Sequence, residues 1–175
     1  MGPPRGSGVV VLGLDPGSRR TGYGLVRTGS DGPDRLASGV IRLDGSRPFA
    51  ERLPHLRDRT IELIRTHRPQ EAVLETCFVA RGARAALVLG HVRGVLLLIC
   101  LDAGLDVFEY TPAEIKRAVT GRGVAPKEQV QEMLRRLLLH PPVHPTQDES
   151  DALAIAYCHL SRPPVARARA MKVLP

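Results

Sequence analysis

Four acidic residues stand where their side chains can act together on one ligand. Asp15 ends the strand-like segment GVVVLGLD, and Glu75 ends a second such segment, EAVLE. In open α/β sheets, sites form at the carboxyl ends of strands, so these two carboxylates lie side by side if the strands are neighbours. Asp148 and Asp151 open a late helix, and their spacing of three residues places them on one face of it.

The chemistry open to such a cluster is metal binding. Four converging carboxylates repel one another strongly unless cations neutralise them. Hard oxygen ligands with few histidines or cysteines nearby suit Mg²⁺, or Mn²⁺ in its place. We therefore predict a divalent metal site with Asp15, Glu75, Asp148 and Asp151 as its ligands.

Two of these acids also have simpler interpretations when each is taken alone. Asp15 can cap the turn that follows it through its side chain. Asp148 can serve as the N-cap of the last helix, a position that the helix dipole favours for an acid. Glu75 is harder to explain in this way, because it follows Ala-Val-Leu in a segment that should be buried.

The elements that must position these acids follow the predicted order βββαβαβααα. Strands are predicted at 8–15, 22–28, 35–43, 71–75 and 105–110. Helices are predicted at 48–67, 83–103, from Thr111, from 126 to about 140, and at 148–161. Short turns make the first three strands an antiparallel meander, and the later strands join the sheet through helical crossovers. The order therefore predicts an α/β fold with a five-stranded mixed sheet flanked by helices.

Charge and length narrow the choice of partner. The 175 residues fit one domain, and the net charge is +7. A basic balance favours a polyanion, either a nucleic acid or an anionic membrane surface. The longest apolar run, at 95–101, is far shorter than the roughly 20 residues of a membrane span. We therefore expect a nucleic-acid partner and no membrane-spanning segment.

The cysteines indicate the cellular compartment. Cys77, Cys100 and Cys158 are odd in number, far apart, and without a CxxC motif. This pattern argues against both a disulfide framework and a zinc site. A reduced, cytoplasmic setting is the expectation.

Four segments resemble one known family. They are GLDPGSRRTGYG (13–24), VLETCFVARGARAALVLGHVRGV (73–95), FEYTPAEIKRAVTGRGVAPKEQV (108–130) and DESDALAIAYCH (148–159). Together they resemble the RuvC-type crossover junction endodeoxyribonucleases, in the right order and over about residues 8–161. The resemblance implies a ribonuclease H-like fold, a homodimer, and two-metal cleavage of Holliday junctions in recombination and repair. It also implies the RuvAB branch-migration complex as a partner.

The resemblance assigns roles to the acids. Asp15, Glu75, Asp148 and Asp151 match the catalytic acids of the family, in which the position of Asp148 alternates between Asp and His. With two Mg²⁺ ions in the site, Asp15 would bridge both ions. Asp148 and Asp151 would hold the ion that activates water, and Glu75 would hold the ion facing the leaving 3′ oxygen.

The resemblance also points to residues that contact DNA. Phe78 matches an aromatic that contacts bases near the crossover, and Lys116 and Lys127 match basic residues near the backbone. Further cations fall in or beside the same loops, so binding should depend strongly on salt: Arg81, Arg84, Arg117 and Arg122. Each residue has an alternative interpretation, namely a core Phe at a strand end or an ordinary solvated cation. Likewise, the apolar helix at 83–103 fits either a subunit interface or a buried core.

The boundaries of the domain follow from composition and from the resemblance. We predict a flexible extension at 1–7, a nuclease domain at 8–161 and a mobile basic tail at 162–175. Three other functions remain open at this point. They are nucleotide binding by the GLDPGSRRTG loop, DNA binding without catalysis, and cleavage of another branched or RNA substrate.

Overall fold

The computed structural model describes residues 8–30, 32–76, 82–138 and 145–163. The strands are β1 (Val10–Asp15), β2 (Arg20–Thr28), β3 (Pro33–Arg42), β4 (Glu71–Glu75) and β5 (Asp106–Tyr110). The helices are α1 (Phe49–His67), α2 (Ala83–Asp102), α3 (Pro112–Thr120), α4 (Lys127–Leu138) and α5 (Gln147–Leu160). The predicted order of elements is confirmed. The predicted extension at 1–7 and most of the predicted tail lie outside the described residues.

One mixed sheet organises the chain, with strand order β3-β2-β1-β4-β5. β1, β2 and β3 pair antiparallel, whereas β4 runs parallel to both β1 and β5. The predicted meander and the predicted five-stranded mixed sheet are therefore both confirmed. β1 and β4 are direct neighbours, and their register pairs Leu14 with Leu74. Asp15 and Glu75 are the next residues on these strands, so they lie side by side where the two strands end.

Each face of the sheet is covered by its own set of helices. Val11 and Val73 belong to the hydrophobic cluster that includes residues of α3, α4 and α5. Leu12 and Leu74 belong to the cluster on the opposite face, which includes residues of α1 and α2. Side chains alternate between faces along a strand, so Asp15 and Glu75 share the face of Val11 and Val73. Both carboxylates therefore point toward the α5 layer.

Three glycines on the central strands let the α5 backbone approach the sheet closely. A methyl group added to Gly13 would lie 2.2 Å from the carbonyl oxygen of Ala152, and one added to Gly22 would lie 2.1 Å from that of Asp148. Gly24, the β2 residue paired with Gly13, meets α5 in the same way. The absence of side chains, rather than an unusual backbone conformation, is what these positions require.

Capping boxes determine where two of the helices begin. Thr111 caps α3 with Glu114 as its partner, and Pro112 occupies the first turn, as predicted. α5 has the same arrangement one turn before the acids, with Thr146 as the N-cap and Glu149 as its partner. The interpretation of Asp148 as the N-cap of the last helix is therefore wrong, because Thr146 occupies that position.

α2 is the most apolar helix of the fold. By length and composition alone it is able to cross a membrane, the one helix within the described ranges for which this holds. It packs on the sheet through Val92, Leu96 and Cys100, and it carries the mostly buried cation Arg93. These contacts make it a layer of the α/β fold, while Leu87 and Leu98 face outward.

We predict that Gly13→Ala destabilises the protein by about 1–3 kcal/mol, because the new methyl group meets backbone atoms that have little room to move. Thermal or urea unfolding measures the change. Gly45→Ala is the matched control, since nothing lies within 4 Å of its added carbon. Equal stability of the two variants would contradict the close packing of α5 on the sheet.

Candidate active site

The structure brings the four predicted acids to one edge of the sheet. Asp15 and Glu75 are the last residues of β1 and β4, and Asp148 and Asp151 lie in the first turns of α5. Gly22, which pairs with Asp15 across the β1–β2 ladder, is also the residue over which the backbone of Asp148 packs. The strand pairing and the helix contact together place α5 carboxylates beside a strand-end carboxylate.

The charges of this cluster act most strongly on Asp15. Burial, followed by repulsion from Asp151, Glu75 and Asp148, raises the pKa of Asp15 to about 7, against a smaller lowering by Lys127. Burial and Asp151 also raise the pKa of Glu75. These shifts show that the carboxylates interact with one another and that the nearby cations only partly offset their repulsion.

Two basic side chains hold the acids of α5. The Nε of Arg20 lies 3.3 Å from a carboxylate oxygen of Asp148, and the Nζ of Lys127 lies 3.6 Å from one of Asp151. Burial raises the pKa of Asp151, whereas Lys127 lowers it through charge and a hydrogen bond. Lys127 is itself more than half exposed, so this ion pair is free to open when a stronger cation or a phosphate arrives.

The donor set suits a hard divalent cation. All four predicted ligands are carboxylates, which Mg²⁺ and Mn²⁺ prefer, and the raised pKa of Asp15 reports negative charge that a cation would neutralise. Among the described residues, however, no three such side chains already stand close enough to enclose one ion. Mg²⁺ usually keeps several waters and takes one or two carboxylates plus substrate phosphate, so a fully closed protein cage is not required.

A cleft of about 220 Å³ opens beside the acids. Glu75, Asp151, Lys116 and Lys127 contribute its charged lining. Its apolar lining comes from α3, α4 and α5: Pro112, Ile115, Val130, Ala154 and Ile155. Two predicted DNA-contacting lysines thus share a cleft with two predicted metal ligands.

The other predicted DNA contacts are more dispersed. Arg84 is exposed in the first turn of α2, Arg117 is exposed on α3, and Arg122 is exposed in the loop before α4. Phe78 and Arg81 lie outside the described residues, so their predicted roles stay predictions.

Sequence reasoning missed Arg20. Strand alternation places Arg20 on the same face of β2 as Gly22 and therefore next to the α5 acids. The Arg19-Arg20 pair follows a turn and resembles ordinary surface charge. The β1–β2 register, which the sequence alone does not specify, is what places it beside Asp148.

The sequence of this chain matches one protein family over most of its length. The family model described as crossover junction endodeoxyribonuclease RuvC matches residues 11–159. Relatives of that name from Alkalilimnicola ehrlichii and Halorhodospira halophila are 49% and 51% identical over 150 residues. These alignments cover 86% and 85% of this chain, and 90% and 88% of the relatives.

Solved structures give the same result. Thermus thermophilus RuvC in complex with a Holliday junction substrate has a TM-score of 0.82 and 32% identity, and the match covers 94% of this chain and 98% of that one. The yeast mitochondrial Holliday junction resolvase Ydc2, with a TM-score of 0.65 and 14% identity over 87% of this chain and 78% of its own, shares the fold. The predicted ribonuclease H-like fold is thereby confirmed. The chain therefore belongs to the RuvC family of crossover junction endodeoxyribonucleases, which are soluble, metal-dependent nucleases that resolve Holliday junctions.

Proposed function

We propose that this chain resolves four-way DNA junctions by paired symmetric nicks, with Asp15, Glu75, Asp148 and Asp151 holding two Mg²⁺ ions. The observation that carries the proposal is the partly buried position of Asp15 beside three other acids, which raises its pKa to about 7. The Thermus thermophilus relative was solved with a Holliday junction substrate, which supports the same class of substrate here.

Each acid has a position that suits its proposed role. Asp15 is repelled by all three other acids, so it is the natural ligand to share between two ions. Asp148 and Asp151, one helical turn apart, would hold the ion on the α5 side, and Glu75 would hold the ion on the β4 side. When bound, a pair of divalent ions supplies water activation, charge relief on the phosphate and stabilisation of the leaving oxygen.

Lys127 and Lys116 prepare the site for an anionic substrate. Burial and Asp151 raise the pKa of Glu75, and both lysines offset part of this rise, which favours the ionised form that binds metal. Lys127 also contacts Asp151, and it is exposed enough to turn toward a phosphate. We assign to Lys127 the neutralisation of the scissile phosphate, and to Lys116, which lines the same cleft, a contact with the DNA backbone.

A wider set of cations would follow the arms of the junction. Arg117 is exposed on α3, Arg122 is exposed in the loop before α4, and Arg84 is exposed at the start of α2; phosphate contacts by such cations give salt-dependent binding. Phe78 and Arg81 would act from the segment between β4 and α2, with Phe78 stacking on a base unpaired at the crossover.

A homodimer fits both the substrate and the surface of α2. A four-way junction has near two-fold symmetry, and two identical subunits present two identical sites to opposing strands. On α2, Leu87, Leu98 and Leu101 are 65%, 60% and 46% exposed, so this helix presents three apolar side chains to solvent. We propose that these side chains are buried against a second copy of the chain.

Three further assignments complete the proposal. The chain would act in the cytoplasm, the reduced setting that its cysteine pattern predicts, and would receive its junctions from the RuvAB branch-migration complex. The nuclease domain would span 8–161, with 1–7 and 162–175 as appendages. Retention of this protein on a resin that carries RuvAB, but not on the bare resin, tests the partnership.

Of the rival functions, DNA binding without catalysis is the most serious. Four acids in a cleft that faces DNA would weaken the binding of a polyanion unless cations neutralised them. That cost favours the nuclease over the binding module.

We predict that the protein makes paired nicks in a labelled synthetic Holliday junction with Mg²⁺ and none with EDTA. Asp15→Asn should lower the rate by roughly 100-fold or more, because it removes a shared metal ligand. Asp58→Asn, at an exposed acid of α1, is the matched control and should cut normally. A linear DNA duplex tests whether cleavage requires the branch. A junction made of RNA tests whether cleavage requires deoxyribose. Tight junction binding without cleavage in Mg²⁺ or Mn²⁺ would instead establish a binding module.

The Asp15 carboxyl should make the metal-free protein less stable as the pH rises from about 4 to 7. The folded pKa of Asp15, about 7, exceeds its unfolded value of about 3.9, so the folded state holds the extra proton across this interval. Asp15→Asn should therefore raise the melting temperature in EDTA at pH 8 and flatten the pH dependence. Mg²⁺ should stabilise the wild type more than this variant. A lower melting temperature for Asp15→Asn at pH 8 would contradict the proposed repulsion.

Leu98→Glu should convert the dimer to a monomer, since it places a charge in the proposed apolar interface. Sedimentation velocity measures the change. Leu36→Glu, at an exposed leucine of the edge strand β3, is the control and should leave the dimer intact. A wild type that sediments as a monomer at micromolar concentration would exclude the proposed interface.

A further inference from the structure

A mostly buried ion pair lies directly behind the proposed metal ligand on β4. Arg93, in the middle of the apolar helix α2, forms an ion pair with Glu109 of β5, and the two side chains are 16% and 15% exposed. The guanidinium also donates a hydrogen bond of 2.8 Å to the main-chain carbonyl oxygen of Glu75. One side chain thus joins α2 and β5 to the last residue of β4.

The hydrogen bond falls where the β1–β4 ladder ends, while Glu75 remains paired with Tyr110 of β5. The pairing of β1 with β4 stops at Leu14 and Leu74, one residue before Glu75. Beyond Asp15 the first strand continues into Pro16, which has no N–H to donate. Because a partly buried carbonyl favours a donor, the guanidinium of Arg93 supplies the hydrogen bond that the β1–β4 ladder does not.

Stability alone does not explain an arginine at this position. Buried ion pairs are often replaceable by apolar side chains of similar size without loss of stability, and the rest of α2 is strongly apolar. The planar fork of arginine, which binds a carboxylate and a carbonyl at once, is a geometric requirement that lysine does not meet.

Arg93 forms its ion pair with Glu109 of β5. Burial and the charge of Asp151 raise the pKa of the Glu75 carboxyl, while Lys127 and Lys116 lower it. The contact of Arg93 with Glu75 is to the main chain instead. Its influence on Glu75 is therefore one of placement.

We propose that Arg93, held by Glu109, is a positioning residue that fixes the main chain at Glu75 and so aims its carboxylate at the metal site. The inference rests on the proposed role of Glu75 as a ligand. Partners behind metal ligands commonly affect metal affinity by about 10- to 100-fold. The Arg93–Glu109 pair should have an effect of this size without touching metal or DNA.

Two variants test the inference. Arg93→Lys keeps a positive charge for Glu109 but loses the fork, and Arg93→Gln with Glu109→Gln removes both charges together, so that neither is left buried alone. The exposed α1 pair provides the control, Arg59→Gln with Glu62→Gln. The measurements are Mn²⁺ calorimetry on protein without DNA, the melting temperature, and kcat and KM for junction cleavage.

We expect both Arg93 variants to bind Mn²⁺ about 10-fold more weakly. Their kcat should fall while KM for the junction stays within about twofold, and added Mn²⁺ should restore part of kcat in Arg93→Lys. The α1 control should match the wild type in all three measurements. If the double variant does not fold, Arg93→Lys alone decides.

Wild-type Mn²⁺ affinity and kcat in folded Arg93 variants would overturn the inference, even if the melting temperature fell, because the pair would then be structural only. Glu75→Gln separates this failure from that of the proposed function. If Glu75→Gln also binds Mn²⁺ and cuts junctions like the wild type, Glu75 is not a ligand and both the assignment and the inference fail. If Glu75→Gln is inactive while the Arg93 variants are normal, only the inference fails.

Discussion

The backbone contact between α5 and the central strands is the constraint on which the active site depends. Gly13 and Gly22 leave no side chain between the sheet and the helix, so main-chain atoms of α5 lie against the strands. This contact brings Asp148 and Asp151 to the edge at which Asp15 ends β1. Any larger residue at these glycines would lift the helix and separate the acids that we propose as shared metal ligands.

Close packing brings carboxylates together that repel one another, and neighbouring cations offset part of this repulsion. The acids repel one another and are partly buried, which is unfavourable for the folded chain without metal. Arg20 and Lys127 relieve part of the repulsion as mobile cations at the surface. A divalent ion and the DNA phosphate would relieve the remainder. Relief of this repulsion would favour the binding of both ligands.

Much of this arrangement follows from the sequence. Apolar segments that end in acids predicted β1, β4 and the shared edge, and Thr-Pro-Ala-Glu predicted the start of α3. The capping pair Thr146 and Glu149 has the same Thr-x-x-Glu spacing in the sequence, which favours Thr146 over Asp148 as the N-cap of α5. Contacts of Arg20 and Arg93 were not predictable, because both depend on strand register and on partners distant in the chain. Local patterns specify elements, whereas register specifies which charges meet.

The most direct test of the account is the location of bound metal. Anomalous diffraction from crystals of the protein grown with Mn²⁺ and an uncleaved junction would locate the ions without reference to activity. The account predicts manganese peaks in contact with Asp15, with Glu75 on one side and the α5 acids Asp148 and Asp151 on the other. Manganese bound elsewhere, or a junction seated with no ion at Asp15, would contradict it.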